Sequence, residues 1–294
     1  MPLLTTPACI PNELPRCAAA YIKRVIKVLD KYIPSTCYAL FLFGSLSQAM
    51  DNADCVDGTS DVDLLVIVKD EVAGRARKAL PELNALQRIL PNNVVSRRGI
   101  VATILEVIER QTGMHESIFM SKEQDFKAAR FASIFKTNKI LSRLLAPTSI
   151  VFGSALCHMT LVHGNGAMEN SVRAMQSTTR RKKDLLLDLV KSLLMNVILA
   201  MGAIVLLPLT KQATRYAVEA VKWSMYAATY SMVGERPPKP SQQRFFSKLG
   251  VNAAILGRWV QLSRHYVPDL KFTLATPWNV IKIHALGFKI KKIR

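Results

Sequence analysis

The chain has 294 residues, half of them apolar, and a formal net charge of +19. That length suits two domains with sizeable cores, and that hydrophobicity excludes a highly charged, disordered chain. Five scattered cysteines (Cys9, Cys17, Cys37, Cys55 and Cys157) with no CxxC pair argue against a disulfide framework and against a zinc site, and a reducing cytoplasm fits them best.

The opening stretch MPLLTTPACIPNELPRC has no basic start and no long apolar run, so a signal peptide is not expected. Residues 12–35 read as an amphipathic helix with Ala18–Ala20, Ile22, Val25, Ile26, Val28 and Leu29 at the apolar positions. CYALFLFGS (37–45) reads as a strand that ends in a turn at Gly44-Ser45, followed by a polar loop over 46–58. DVDLLVIV (61–68) is a second strand. Helical spacing returns over 71–90, and GIVATILEVIER (99–110) is expected to be helical too. HESIFMS (115–121) suits a third strand, and DFKAARFASIF starts another helix. The short apolar runs TSIVFGS (148–154) and MTLVHG (159–164) fit either element.

HGNGAMENS marks a boundary near 165–170. Beyond it the periods are helical over roughly 170–207, 209–233, 241–250 and 252–266, with the proline-rich GERPPKPS as a break. The expected fold class is α+β, with a small mixed-sheet domain over 1–167 and an all-helical domain over 168–294. SLLMNVILAMGAIVLLPL (192–209) carries no charge and approaches the length of a membrane span. It continues a helical pattern, so a buried core helix is expected and a membrane role is not.

Charge divides unevenly between the halves. Residues 1–165 hold 19 Lys and Arg against 15 Asp and Glu, a net of +4, whereas residues 166–294 hold 21 against 6, a net of +15. Such a surface favours phosphate-bearing partners: nucleotides, RNA or an anionic membrane face. RRKK (180–183) reads as a solvated helix face, with a phosphate contact as the sharper alternative. Trp223, Tyr226 and Tyr230 fall at helical spacing and read as core.

The chemistry centres on GTSDVDLLVIV (58–68). Side chains at i and i+2 of a strand share a face, so Asp61 and Asp63 project together while Val62 turns inward. Two adjacent carboxylates repel unless a cation sits between them. The preceding strand ends in LFGS (42–45), so the pattern is h-G-S, 15 residues, then D-h-D-h.

This pattern resembles the signature of the polymerase-beta-like nucleotidyltransferase superfamily, which includes minimal nucleotidyltransferases, antibiotic nucleotidyltransferases and CCA-adding enzymes. The likeness is close over about 30 residues and loose over about 150. It extends in wording to archaeal nucleotidyltransferases with a helical C-terminal domain. The spacer is slightly longer than in the minimal form. The resemblance implies metal-dependent transfer of a nucleoside monophosphate, AMP from MgATP, to a hydroxyl with release of pyrophosphate. It implies Asp61 and Asp63 as ligands of two Mg²⁺ ions, which take carboxylates together with substrate phosphates. It implies Gly44 and Ser45 as the triphosphate-binding turn. The family's third acid has its best candidate in Glu116, whose neighbours His115 and Ser117 depart from the family's h-D-h setting; Glu106 and Asp125 are poorer. The implied partners are a nucleoside triphosphate and RNA or another anionic acceptor. The alternative is a catalytically weak nucleotide- or RNA-binding module, an antitoxin-like partner of another protein.

Overall fold

The computed structural model describes residues 14–44, 46–47, 62–87, 117–155, 159–179, 182–210, 212–234 and 239–291. The chain divides into two compact units, Met1–Lys139 with His158–Thr178 and Ile140–Cys157 with Thr179–Arg294. The fold class is α+β, an N-terminal mixed sheet followed by a mostly helical C-terminal part.

The first unit is built on four strands: β1 (Tyr38–Phe43), β2 (Asp63–Val68), β3 (Ile118–Lys122) and β4 (Thr160–Gly164). Their spatial order is β3-β2-β1-β4. β1 runs antiparallel to β2 and β4, while β2 and β3 are parallel. Helix α1 (Arg16–Tyr32) covers one face. Its buried positions Ala18, Tyr21, Ile22, Val25, Ile26 and Leu29 follow a 3.6-residue period. Ala20, expected inward, is exposed, and Tyr21 takes the inward place beside Ile22.

Leu40 and Leu42 of β1, Leu64, Val66 and Val68 of β2, and Ile118 of β3 pack in the same core as α1. Strand alternation then puts Phe41, Phe43, Asp63, Leu65 and Phe119 on the opposite face. There Phe43 meets Phe119 with ring centroids 5.9 Å apart, and Phe119 meets Phe135 edge-on at 5.1 Å. The chain between β2 and β3 includes α2 (Ala73–Ala76) and α3 (Leu80–Gln87), and Ala76, Ala79 and Leu83 join the α1 core. Residues 88–116, including the expected helix over 99–110, lie outside the described residues.

After β3 the expected single helix is two short ones, α4 (Glu123–Lys127) and α5 (Phe131–Ile134). Ala129 adopts φ +48° between them, and the Arg130 amide and guanidinium both bond back to Asp125. A left-handed residue cannot continue a helix, which explains the break.

The second unit includes α6 (Lys139–Leu145) and α7 (Thr148–Ala155), so TSIVFGS is helical. The chain returns to the first unit for α8 (Glu169–Thr179), and the second unit resumes with α9 (Lys182–Leu206). Then come α10 (Ala213–Val233), α11 (Lys239–Lys248), α12 (Ala253–Arg264) and α13 (Leu270–Lys291). α9, α10 and α13 pack on one another as a bundle, and α7 packs on α9 and α10. Helix α13 is not anticipated by sequence periodicity; Pro277 lies inside it.

Several buried polar groups inside this unit are paired. The buried Asp188 of α9 accepts from the Ser149 amide at 2.5 Å, satisfying a free N–H in the first turn of α7. Ser192, Asn196 and His284 form a buried chain between α9 and α13. His284 Nδ1 lies 2.9 Å from the Val280 carbonyl, which can only accept, so Nδ1 carries the proton and Nε2 accepts from the Ser192 hydroxyl at 3.2 Å.

Candidate functional site

The two segments that carry the sequence signature meet at one end of the sheet. Phe43, the last residue of β1, pairs with Asp63, the first residue of β2. The chain leaves β1 through Gly44 at φ +81° and becomes helical at Leu46 and Ser47. The Ser47 hydroxyl donates to the Gly44 carbonyl at 3.1 Å, which closes this turn. Two separate constraints select glycine here. The left-handed φ disfavours an L side chain by about 1–2 kcal/mol. In addition, a Cβ at this position would overlap Asp63 Oδ2.

Asp63 is half-buried at the strand end, whereas Val62 before it is in the core. The first amide of the parallel ladder, Leu64 N–H, donates to the Ser117 carbonyl at 2.7 Å, which brings the start of β3 beside Asp63. Tyr21 reaches the same end from α1. Burial pushes its phenol up to about 12; its interaction with Ser117 opposes the rise and the negative charge of Asp63 adds to it. Tyr21 therefore stays neutral through the physiological range.

Of the five site residues expected from sequence, Gly44 and Asp63 are described, and they are in contact. Ser45, Asp61 and Glu116 lie outside the described residues, as does Glu106. Asp125 is engaged elsewhere, in an ion pair with Arg130 at 2.8 Å. Among the described residues no group of three or more His, Cys, Asp or Glu side chains could hold a metal. Asp63 by itself offers a hard oxygen donor beside a glycine turn, which fits Mg²⁺ chemistry and does not fit a thiolate- or imidazole-loving metal.

Tyr21 was not legible as a site residue, because its place in the α1 pattern reads only as a core position. Ser117 was legible as a flank of Glu116 and not as a neighbour of Tyr21.

The aromatic positions that fall at helical spacing have structural roles. Tyr226 and Tyr230 are buried in α10, with Trp223 packed edge-on against Tyr226. The Arg258 guanidinium is held by Asp269 at 2.6 Å and by Gln261, while His265 is exposed. Lys222 pairs with Glu219.

No protein-family model matches the chain, and no curated protein matches it significantly.

Proposed function

We propose that the chain is a metal-dependent nucleotidyltransferase that moves a nucleoside monophosphate, AMP from ATP, to a hydroxyl acceptor. The observation that carries this reading is the contact between Gly44 and Asp63. It joins a phosphate-accepting turn to a metal-accepting carboxylate, with the strand pairing of β1 and β2 holding both.

The roles follow from what each group can do. The Gly44 turn lets backbone approach the triphosphate closely, and the Ser45 hydroxyl adds a donor. Asp61 and Asp63 would hold magnesium, which when bound neutralises phosphate charge and stabilises the leaving pyrophosphate. The acceptor oxygen attacks the α-phosphorus, the bond to the β-phosphate bridging oxygen breaks, and pyrophosphate departs. Glu116 is assigned the hydroxyl proton. Tyr21, neutral and buried, stands at the same end of the sheet.

The test is incubation of the full chain with labelled ATP and Mg²⁺ against panels of RNA, protein and aminoglycosides. Label transfer that matches pyrophosphate release, and that is lost in Asp63→Asn, supports the reading. Transfer at the wild-type rate by Asp63→Asn removes it.

A further inference from the structure

From Ser192 to Leu206 helix α9 is uncharged and mostly apolar, yet only part of it is covered. Leu189, Asn196, Ala200 and Ala203 turn into the bundle. On the opposite side Leu187, Leu194, Ile198, Met201 and Val205 recur at spacings of three, four and seven, and each is about half exposed or more. Across the window Leu185–Leu206 only 39% is buried. The expected core helix is thus a core helix on one face and bare on the other.

Helix α13 continues this surface. It packs along α9 in the opposite direction: His284 meets Ser192, and a concavity at the other end brings Leu207 and Leu209 beside Leu270. Its outward positions include Leu270, Leu274, Trp278 and Ile281, with Trp278 61% exposed. Exposed singly, apolar side chains mean little; stripes of them on two helices that pack together mark a candidate interaction surface.

The charges bordering the patch choose its occupant. Lys271, Lys282 and Lys289 are exposed on the same side of α13 as Trp278, and Lys282 Nζ lies 5.4 Å from the Trp278 ring centroid. α13 contains no acidic residue, and α9 carries no charge of either sign from Ser192 to Leu206. The acid on α9 nearest the patch, Asp188, is buried as the cap of α7. A second copy of this chain would set like-charged lysine stripes near each other, which disfavours self-pairing. RNA would match the lysines and gain nothing from the leucines. An apolar face edged by cations, with a tryptophan at the border, matches the headgroup boundary of an anionic bilayer.

We propose that the α9–α13 face docks flat on an anionic membrane surface, with the apolar stripes at the acyl boundary and Lys271, Lys282 and Lys289 among the headgroups. The helix does not cross: its other face packs Ser192 and Asn196 against His284 inside the bundle. This placement is independent of the transfer chemistry assigned to Asp63.

The experiment is flotation of the full chain with phosphatidylserine-rich vesicles and with pure phosphatidylcholine vesicles, paired with tryptophan fluorescence. The expected result is at least tenfold tighter binding to the anionic vesicles, with a blue shift that disappears in Trp278→Phe. A triple variant, Leu194→Gln, Ile198→Gln and Trp278→Gln, should lose binding tenfold or more while melting as the wild type does, since all three side chains are exposed. Lys271→Gln, Lys282→Gln and Lys289→Gln together should abolish the preference for anionic lipid. Vesicle binding unchanged in the triple variant overturns the proposal. So does a dimer in solution that the triple variant makes monomeric without any vesicle binding by the wild type, and so does vesicle-bound protein that resists alkaline carbonate extraction, which would mean insertion across the bilayer.

Discussion

Asp63 excludes a side chain at residue 44: a Cβ there would fall on Asp63 Oδ2. The glycine is therefore tied to the carboxylate as well as to its φ of +81°. Gly44→Ala should cost about 1–2 kcal/mol from the left-handed backbone and should also displace the Asp63 carboxylate. Gly44→Val should raise the KM for ATP sharply, with the loss of nucleotide affinity visible by calorimetry. ATP affinity equal to wild type in both variants would separate the turn from nucleotide binding.

The sign of a second glycine substitution discriminates packing from propensity. Gly153 lies within α7, where alanine ordinarily stabilises a helix by roughly 1 kcal/mol. Here a Cβ would overlap the Tyr230 ring and hydroxyl, and Tyr230 is buried against Ile150 and Leu189. Gly153→Ala should therefore destabilise by about 1–3 kcal/mol, the usual range for overpacking. In Tyr230→Ala the same substitution should become neutral or favourable. Denaturant midpoints of the two single variants and the double variant give the coupling directly, and additivity would show that Tyr230 is not the obstacle.

His284 predicts a pH dependence of stability. Burial lowers its pKa from 6.5 to about 4, against a weak opposing pull from the Val280 carbonyl. The folded protein holds the ring neutral, while the unfolded chain takes up a proton below its ordinary pKa. The stabilisation is present in full above about pH 6.5 and is lost as pH falls toward 4, with a slope near 1.4 kcal/mol per pH unit within that window. Urea midpoints measured from pH 7.5 down to pH 4 should fall accordingly in wild type and flatten in His284→Gln. An equal decline in both would assign the effect to other groups.

The β1–β2 pair was legible because both are uninterrupted apolar runs bounded by Gly44 and by the acid at Asp63, so length and punctuation agree, whereas MTLVHG, which forms β4, was ambiguous. TSIVFGS was ambiguous because Ile150 and Val151 suit a strand; what makes it α7 is packing against Leu189 and Tyr230, which no local pattern reveals. α13 was missed for two reasons. Pro277 argues against a helix interior, and apolar residues on both its buried and exposed sides erase the amphipathic period. At the candidate site, Gly44 and Asp63 were readable from residue type and strand position. Tyr21 was not, since only the tertiary fold brings α1 to the end of β2.

The account rests on Asp63 as a magnesium-holding carboxylate. Its most direct measurement is pyrophosphate release from ATP and Mg²⁺, in the presence of the acceptor that the panel identifies, by wild type and by Asp63→Asn, with Asp61→Asn in parallel. Each substitution removes a charge at nearly constant volume, so the thermal midpoint should hold or rise as like-charge repulsion is relieved, while turnover should fall by a factor of about 100 or more, as expected when a metal-held transition state loses its ligand. Wild-type turnover in either variant, at an unchanged thermal midpoint, would contradict the assignment.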